Sequence, residues 1–572
     1  MKKSLATLLA LAMMASLTAC GGSSDTQSTT AAETTAAETP AAETTAAETT
    51  AAETTAAETS AAAEGTEQEA ASALSSIALD MADTNIETGH VALVTFSQYL
   101  YSEAEDGKSS ASCSYDLPRL GEGMEEAYPE LATGLDNYAQ DINDTYTSDY
   151  EELKTSAASS AEDRGDDLTE ELACYIGTES SVVRADSNVV SLYNEYYDYK
   201  GGAHGYYYYY GTNFDTATGA VLTLDDVVKD KDALIAYLKE ELVKQYPDVQ
   251  FTGLDEFFSN SETVNAIFFL CRYDGVEFFF APYDLASYAD GAQSILVPAD
   301  RTDLLNEKYL DFPETYVTAI GTEAPFYCDT DGDGNLETVQ VDVEWVDDDS
   351  DQRNYTVSLD DASLFVEAYA YGVAPYIVVT KDGAYLYVQE QSDNDYMLTM
   401  VYDISGSEPT EVTDGDTTFF GAHAMIDSDE TSSSSEGYYH KTYEWTDPAA
   451  MLMTGHIDVL KTTTGAKLYS VGKSGIPQTE QKNYVILPEL TVTAKKDLSL
   501  MKVDNTLADV EETTVASGTV LTLYLSDGDS TAYLLDTATN TLYKVTLDKS
   551  EWPYTLNGEP DEDCFDGVAY AG

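Results

Sequence analysis

Positive charge is scarce in this chain of 572 residues: 27 Lys and Arg stand against 104 Asp and Glu, a formal net charge of −77. A surface this acidic repels phosphates instead of releasing their counterions, which excludes nucleic acid as a partner. Anionic lipid headgroups are excluded as a docking surface for the same reason. Histidine is nearly as rare, and no two of His90, His204, His423, His440 and His456 lie within four residues of each other. Six cysteines include no CxxC pair, which removes the common redox and zinc spacings. No HExxH, GxSxG or glycine-rich phosphate loop is present. Beyond the leader no apolar run is long enough to span a bilayer; the run Val264 to Cys271 stops at Arg272. Apolar and aromatic residues are plentiful, at 43% hydrophobic and 43 Tyr, so most of the chain can bury a core. At about 150 residues per domain, there is room for three or four domains.

The N-terminus reads as an address. Lys2 and Lys3 precede an apolar stretch from Leu5 to Leu17, and Leu17-Thr18-Ala19-Cys20 resembles the bacterial lipobox. The resemblance implies that 1–19 is a lipoprotein signal peptide and that Cys20 becomes an acylated N-terminus. The protein would then be held by a lipid bilayer on the outer face of the cell membrane. From 20 to 75, Ala-Ala-Glu-Thr-Thr units place Glu33, Glu38, Glu43, Glu48, Glu53 and Glu58 five residues apart. A period of five gives no apolar stripe on a helix or a strand, so this stretch reads as a solvated tether. With Cys20 committed, Cys113, Cys174, Cys271, Cys328 and Cys564 remain, and they read as buried structural thiols with at most one bridge.

Residues 76–305 read as an α+β module, a mixed sheet with two main helices. Leu131, Leu135, Tyr138, Ile142 and Tyr146 mark one face of a long helix, and Leu234, Leu238 and Leu242 mark a second from Asp232 to Tyr246. Strands are predicted at 91–96, 113–117, 189–197, 206–210, 220–224, 275–280 and 294–297. Four stretches carry a resemblance: Arg184-Ala-Asp-Ser-Asn-Val-Val; Gly201-Gly-Ala-His-Gly205; Asn213-Phe-Asp-Thr-Ala-Thr-Gly219; and Asp274-Gly-Val-Glu through Pro282-Tyr283-Asp-Leu-Ala-Ser-Tyr288. In this order they resemble the PdaC/RsiV-type extracytoplasmic domain pair, over about 90–305. The resemblance implies a recognition module at the cell wall, since one branch of that family binds lysozyme. Another branch precedes a deacetylase domain that needs an Asp with paired histidines, and the spacing of the histidines here departs from that pattern. The expectation is therefore a binding protein and not an enzyme.

Within the module, His204 is either presented to a ligand on a glycine-permitted bend or held by its own loop. Tyr206–Tyr210 is either a stacking platform or, on alternate rings, plain core. Tyr283 and Tyr288 are either aromatic anchors for a partner or packed beneath the sheet.

Past Pro313 the pattern turns almost wholly β. Residues 306–480 read as a sandwich or partial propeller, with a hairpin around Asp382-Gly383. Residues 481–572 are weakly similar to a small bacterial SH3-like barrel. The run Asp329-Thr-Asp331-Gly-Asp333-Gly334-Asn335-Leu-Glu337 has carboxylates at alternate positions around bend-making glycines, the pattern a hard, oxygen-seeking Ca²⁺ requires. The expected ligands are Asp329, Asp331, Asp333, Glu337 and a carbonyl at Asn335. The function these features favour is a surface-anchored lipoprotein binding either a cationic wall-associated protein, lysozyme-like, or peptidoglycan or another wall glycan. A wall-modifying enzyme and a passive spacer or adhesin are the alternatives.

Overall fold

Two helices and five strands form the frame that positions everything else: α1 (Met81–Thr88), β1 (Leu93–Glu103), β2 (Ser109–Leu120), α2 (Pro129–Arg164), β3 (Leu172–Ala185), β4 (Val189–Tyr199) and β5 (Tyr206–Asp215). The computed structural model describes residues 81–570, apart from 105–106, 166–170, 323, 348–349, 393–396, 413–424, 428–437 and 488–489. The expected signal peptide, Cys20, the expected repeat tether and the polar loop expected at 428–436 lie outside the described residues.

The five strands run in the order β1-β2-β3-β4-β5, antiparallel except for the parallel β2–β3 pair. A parallel pair needs a crossover, and α2 supplies it. Pro129 opens α2, where its missing N–H costs nothing. The stripe Leu131, Leu135, Ala139, Tyr146, Tyr150, Leu153, Ala157 and Ala161 is buried, largely on β2 and β3, while the expected Tyr138 and Ile142 are half-buried at its margin.

A smaller layer follows, α3 (Lys231–Gln245) and the meander β6 (Phe268–Cys271), β7 (Gly275–Phe280) and β8 (Gln293–Pro298). Leu234, Leu238 and Leu242 pack into its core, each burial being worth about 1.5–3 kcal/mol. Asn213 stitches β5 to β6: its amide donates to the Phe269 carbonyl at 2.8 Å and its oxygen accepts from Cys271 N at 2.8 Å. The strand expected at 220–224 is a correction. Thr223 and Asp226 form a capping box there, so the chain turns into the short helix Leu224–Val227.

The remainder is almost all β. Four strands from Phe326 to Ala370 form one sheet. Strands Tyr316–Ala319, Gly372–Thr380, Gly383–Gln391, Met397–Asp403 and Thr410–Glu411 form another, and the two share a core of Val339, Val341, Tyr355, Val357, Ile377, Leu386 and Tyr402. A larger sheet gathers most strands from Met451 onward, while Thr555–Leu556 and Glu559–Pro560 pair separately.

The sheets do not respect the expected boundaries at 305 and 480. Tyr438–Tyr443 pairs with β1, Val94 opposite Tyr443, and so extends the N-terminal sheet. Lys461–Val471 pairs with Tyr484–Ile486 across residue 480. All described residues fall in one compact unit, Ala73–Gly572. Its cysteines, Cys113, Cys174, Cys271, Cys328 and Cys564, are all buried and unbridged.

Candidate functional site

The loop between β4 and β5 carries His204 to the surface. Arg164, at the last turn of α2, pins it by donating to the Gly201 carbonyl at 2.6 Å, and Tyr199 Oη donates to the Gly202 carbonyl at 3.2 Å. Gly205 is obligatory because a Cβ there would come within 2.6 Å of the Asp198 carbonyl oxygen. The His204 ring stacks on Tyr288 at 4.2 Å between centroids. Its Nδ1 donates to the Gly205 carbonyl at 2.7 Å, and Tyr288 Oη donates to that same oxygen at 2.8 Å.

Tyr283 and Tyr207 complete the group, at 5.6 and 6.2 Å from Tyr288. Tyr283 is 59% exposed and holds φ at +77°, a left-handed conformation that a bulky aromatic residue rarely adopts. Backbone strain of this kind gathers at functional sites. The structure thus brings His204, Tyr283 and Tyr288 together, with Tyr283 exposed and Tyr288 half-buried. Tyr207 joins them, a member that alternation along the strand could have singled out.

The five tyrosines of β5 are all half-buried, so neither simple alternative describes them. Tyr207 and Tyr209 continue the His204 face, with Tyr209 stacked on Tyr193 at 5.9 Å. Tyr206, Tyr208 and Tyr210 line the opposite face, where Tyr208 stacks on Tyr196 at 4.7 Å and on Phe268 at 5.8 Å. Burial pushes the Tyr208 phenol up to about 12. Burial, then the carboxylates of Asp284 and Asp198, raises that of Tyr206, so at neutral pH these groups remain hydrogen-bond donors.

The acidic loop is organised differently from the calcium expectation. Asp329, Asp331 and Asp333 converge, with one carboxylate oxygen from each within 4.8 Å of the others. Gly332 and Gly334 make the bend at φ +79° and +89°. Asp329 accepts from Gly332 N and Gly334 N at 2.7 and 2.9 Å. Asn335 gives both its backbone and side-chain N–H to Asp333, each at 2.8 Å. Glu337 stands outside the triad because its carboxylate accepts from Thr330 N and Oγ1, at 2.7 and 2.9 Å. Three oxygens from Asp side chains suit a hard cation, while the Glu337 carboxylate uses its Oε2 to hold the loop at Thr330.

Comparison with known proteins divides the tyrosine face in two. Residues 124–207 match the family model "Deacetylase PdaC", and residues 223–300 match "Protein of unknown function (DUF3298)". The chain carries the PdaC–DUF3298 domain pair. His204 and Tyr207 fall in the PdaC match and Tyr283 and Tyr288 in the DUF3298 match, so the cluster is assembled by both. A curated relative, peptidoglycan-N-acetylmuramic acid deacetylase PdaC of Bacillus subtilis (strain 168), is 32% identical over 134 residues. The match takes in 22% of this chain and 28% of that relative's length. Among solved structures, a DUF3298 family member from Bacteroides fragilis NCTC 9343 is 21% identical, with a TM-score of 0.31, and covers 38% of this chain and 95% of its own. A DUF3298 family protein from Pseudomonas aeruginosa PAO1 is 15% identical, with a TM-score of 0.24, over 38% and 96%.

Several residues of the shared motifs serve the fold instead of the surface. Arg184 is fully buried, donating to Asp186 at 2.7 Å and to the carbonyls of Tyr309 and Asp311 at 2.6 and 3.1 Å. Asn213, described above, is a stitch between layers. The quoted motifs are thus partly structural and partly presented at the surface.

Proposed function

We propose that this protein is a cell-wall recognition lipoprotein, tethered through Cys20, whose PdaC–DUF3298 pair binds wall glycan on the face formed by His204, Tyr207, Tyr283 and Tyr288. The observation that carries this reading is the cluster itself: four rings, two from each matched domain, with His204 and Tyr288 braced through one carbonyl. Flat aromatic faces suit the C–H faces of a pyranose, and the tyrosine hydroxyls suit its hydroxyls. The name of the Bacillus relative supports the substrate class, since it acts on N-acetylmuramic acid of peptidoglycan.

A second reading, a cationic lysozyme-like protein as the partner, is favoured by the charge of −77, which would steer such a molecule and speed its association. Cosedimentation of the full chain with purified sacculi, set beside titration with lysozyme at low and physiological salt, separates the two. Release of soluble muropeptides during the incubation would instead reveal an enzyme. In the same proposal Asp329, Asp331 and Asp333 take Ca²⁺, as a brace for the β half and not as part of recognition.

A further inference from the structure

A cavity of about 370 Å³ is lined by Phe96 of β1, Leu117, Arg119 and Leu120 of β2, Ala132 and Asp136 of α2, and Glu125 before that helix. It shares no residue with the tyrosine face. Its size is that of a small-molecule site. Its wall is divided by chemistry: Phe96, Leu117, Leu120 and Ala132 give an apolar floor, and three charged side chains of both signs stand over it.

Arg119 is the informative residue, because guanidinium groups are rare in so acidic a chain. Its Nη1 donates to Asp136 Oδ1 at 2.7 Å and to the Leu135 carbonyl at 3.4 Å. Among the described residues no hydrogen bond is made by its Nε or Nη2, so one edge of the fork is free for a carboxylate. A second cation stands close by: Lys441 Nζ lies 5.7 Å from the Phe96 centroid and donates to Tyr443 Oη at 2.8 Å. Glu125 engages only one oxygen, Oε2 accepting from Gly123 N at 3.1 Å, and Asp136, paired directly with Arg119, uses Oδ1 alone. Two open carboxylate oxygens suit an ammonium group.

A simple anion does not fit, since Asp136 and Glu125 would oppose it. A purely apolar ligand does not fit either, since it would strip water from three charges without replacing their partners. What satisfies the whole wall is one molecule with a carboxylate, an ammonium and an aliphatic group. We propose that this cavity binds an aliphatic α-amino acid or short peptide as its zwitterion, with the carboxylate on Arg119, the ammonium on Asp136 and Glu125, and the side chain on Phe96, Leu117 and Leu120.

The test is isothermal titration of the full chain with leucine and with the dipeptide alanyl-leucine. N-acetyl-alanyl-leucine and alanyl-leucine amide, each lacking one charge, are the comparators. Saturable binding of leucine or the dipeptide is expected, with each blocked dipeptide at least tenfold weaker than its parent, and whichever parent binds tighter identifies the ligand as free amino acid or peptide. Arg119→Gln should abolish binding. Should that variant fail to fold, Asp136→Asn, at a side chain 69% exposed, should still weaken the zwitterion at least fivefold while leaving the melting curve in place. Absence of binding by both parents at millimolar concentration, blocked dipeptides as tight as the parent, or unaltered affinity in Asp136→Asn would each overturn the assignment.

Discussion

The imidazole of His204 and the phenol of Tyr288 are stacked at 4.2 Å between ring centroids, inclined by 32°, and both donate to the carbonyl oxygen of Gly205. One residue comes from each of the two matched domains. The shared acceptor ties both side chains to the loop, so the pair is set before any ligand arrives. Pre-setting matters for affinity, because a ligand that meets immobile rings does not have to order them.

Removing only the hydroxyl from this pair tests whether stacking or hydrogen bonding dominates. Tyr288→Phe keeps the ring against His204 and loses one bond to Gly205, and glycan affinity should fall about threefold. Loss of the whole ring in Tyr288→Ala should cost at least tenfold, consistent with about 1.5 kcal/mol for an aromatic contact and its buried area. Equal effects of the two variants would assign the role to the hydroxyl.

Arg184 makes the clearest stability prediction. Its guanidinium lies against the rings of Tyr273 and Phe312, at 5.6 and 5.5 Å, and is fully buried with Asp186. Arg184→Ala strands a buried carboxylate and should lower unfolding free energy by about 3–5 kcal/mol. Arg184→Lys should recover little, since a point charge cannot make the three directed bonds. Urea unfolding followed by tryptophan fluorescence measures both, and a cost below 1 kcal/mol for Arg184→Ala would contradict the buried geometry.

Glu444 gives stability an unusual pH dependence. It faces the polar pocket that also holds Thr95, Ser97 and Asp116, and burial pushes its carboxyl up to about 7. Asp116 adds to the rise while it accepts from Ser97 Oγ at 2.5 Å and Ser180 N at 2.7 Å. Between the ordinary 4.5 and about 7 the folded state keeps a proton that the unfolded state has released. Stability from this group is therefore greatest at low pH and declines as pH rises through that window, by about 3 kcal/mol at most. Glu444→Gln should remove this component and raise the melting temperature at pH 8 more than at pH 5. A gain independent of pH would show that the carboxyl does not titrate there.

For the acidic loop, millimolar Ca²⁺ should raise the melting temperature of the full chain by several degrees, and Asp331→Ala should abolish the rise. Glu337→Gln should leave most of it, because Glu337 is engaged by Thr330. A melt indifferent to Ca²⁺ and to chelator would remove the metal from the account.

Much of the frame was legible because periodicity reports which face of an element is buried. The spacing of Leu131, Leu135 and Tyr146 marks α2, and Asp382-Gly383 marks the hairpin that joins Tyr376 to Tyr387. Pairing between distant strands was not legible. Nothing in the alternation of Tyr438–Tyr443 says that its partner is β1, more than 300 residues earlier, since many strands share that pattern. At 220–224 the capping signal of Thr223 and Asp226 was present but was outweighed by the apolar run before it. The site was half legible: His204, Tyr283 and Tyr288 could each be named, but only the fold shows that one carbonyl joins two of them. The burial of Arg184 ran against its charge and was hidden for that reason.

The central claim is that the ring cluster shared by the two domains binds wall glycan. The most direct measurement is cosedimentation of the full chain with purified peptidoglycan sacculi, comparing wild type with the double variant Tyr283→Ala/Tyr288→Ala after confirming equal melting temperatures. The account predicts saturable wild-type binding and at least a tenfold loss of affinity in the double variant. Undiminished binding by the double variant, or no binding by the wild type, would contradict it.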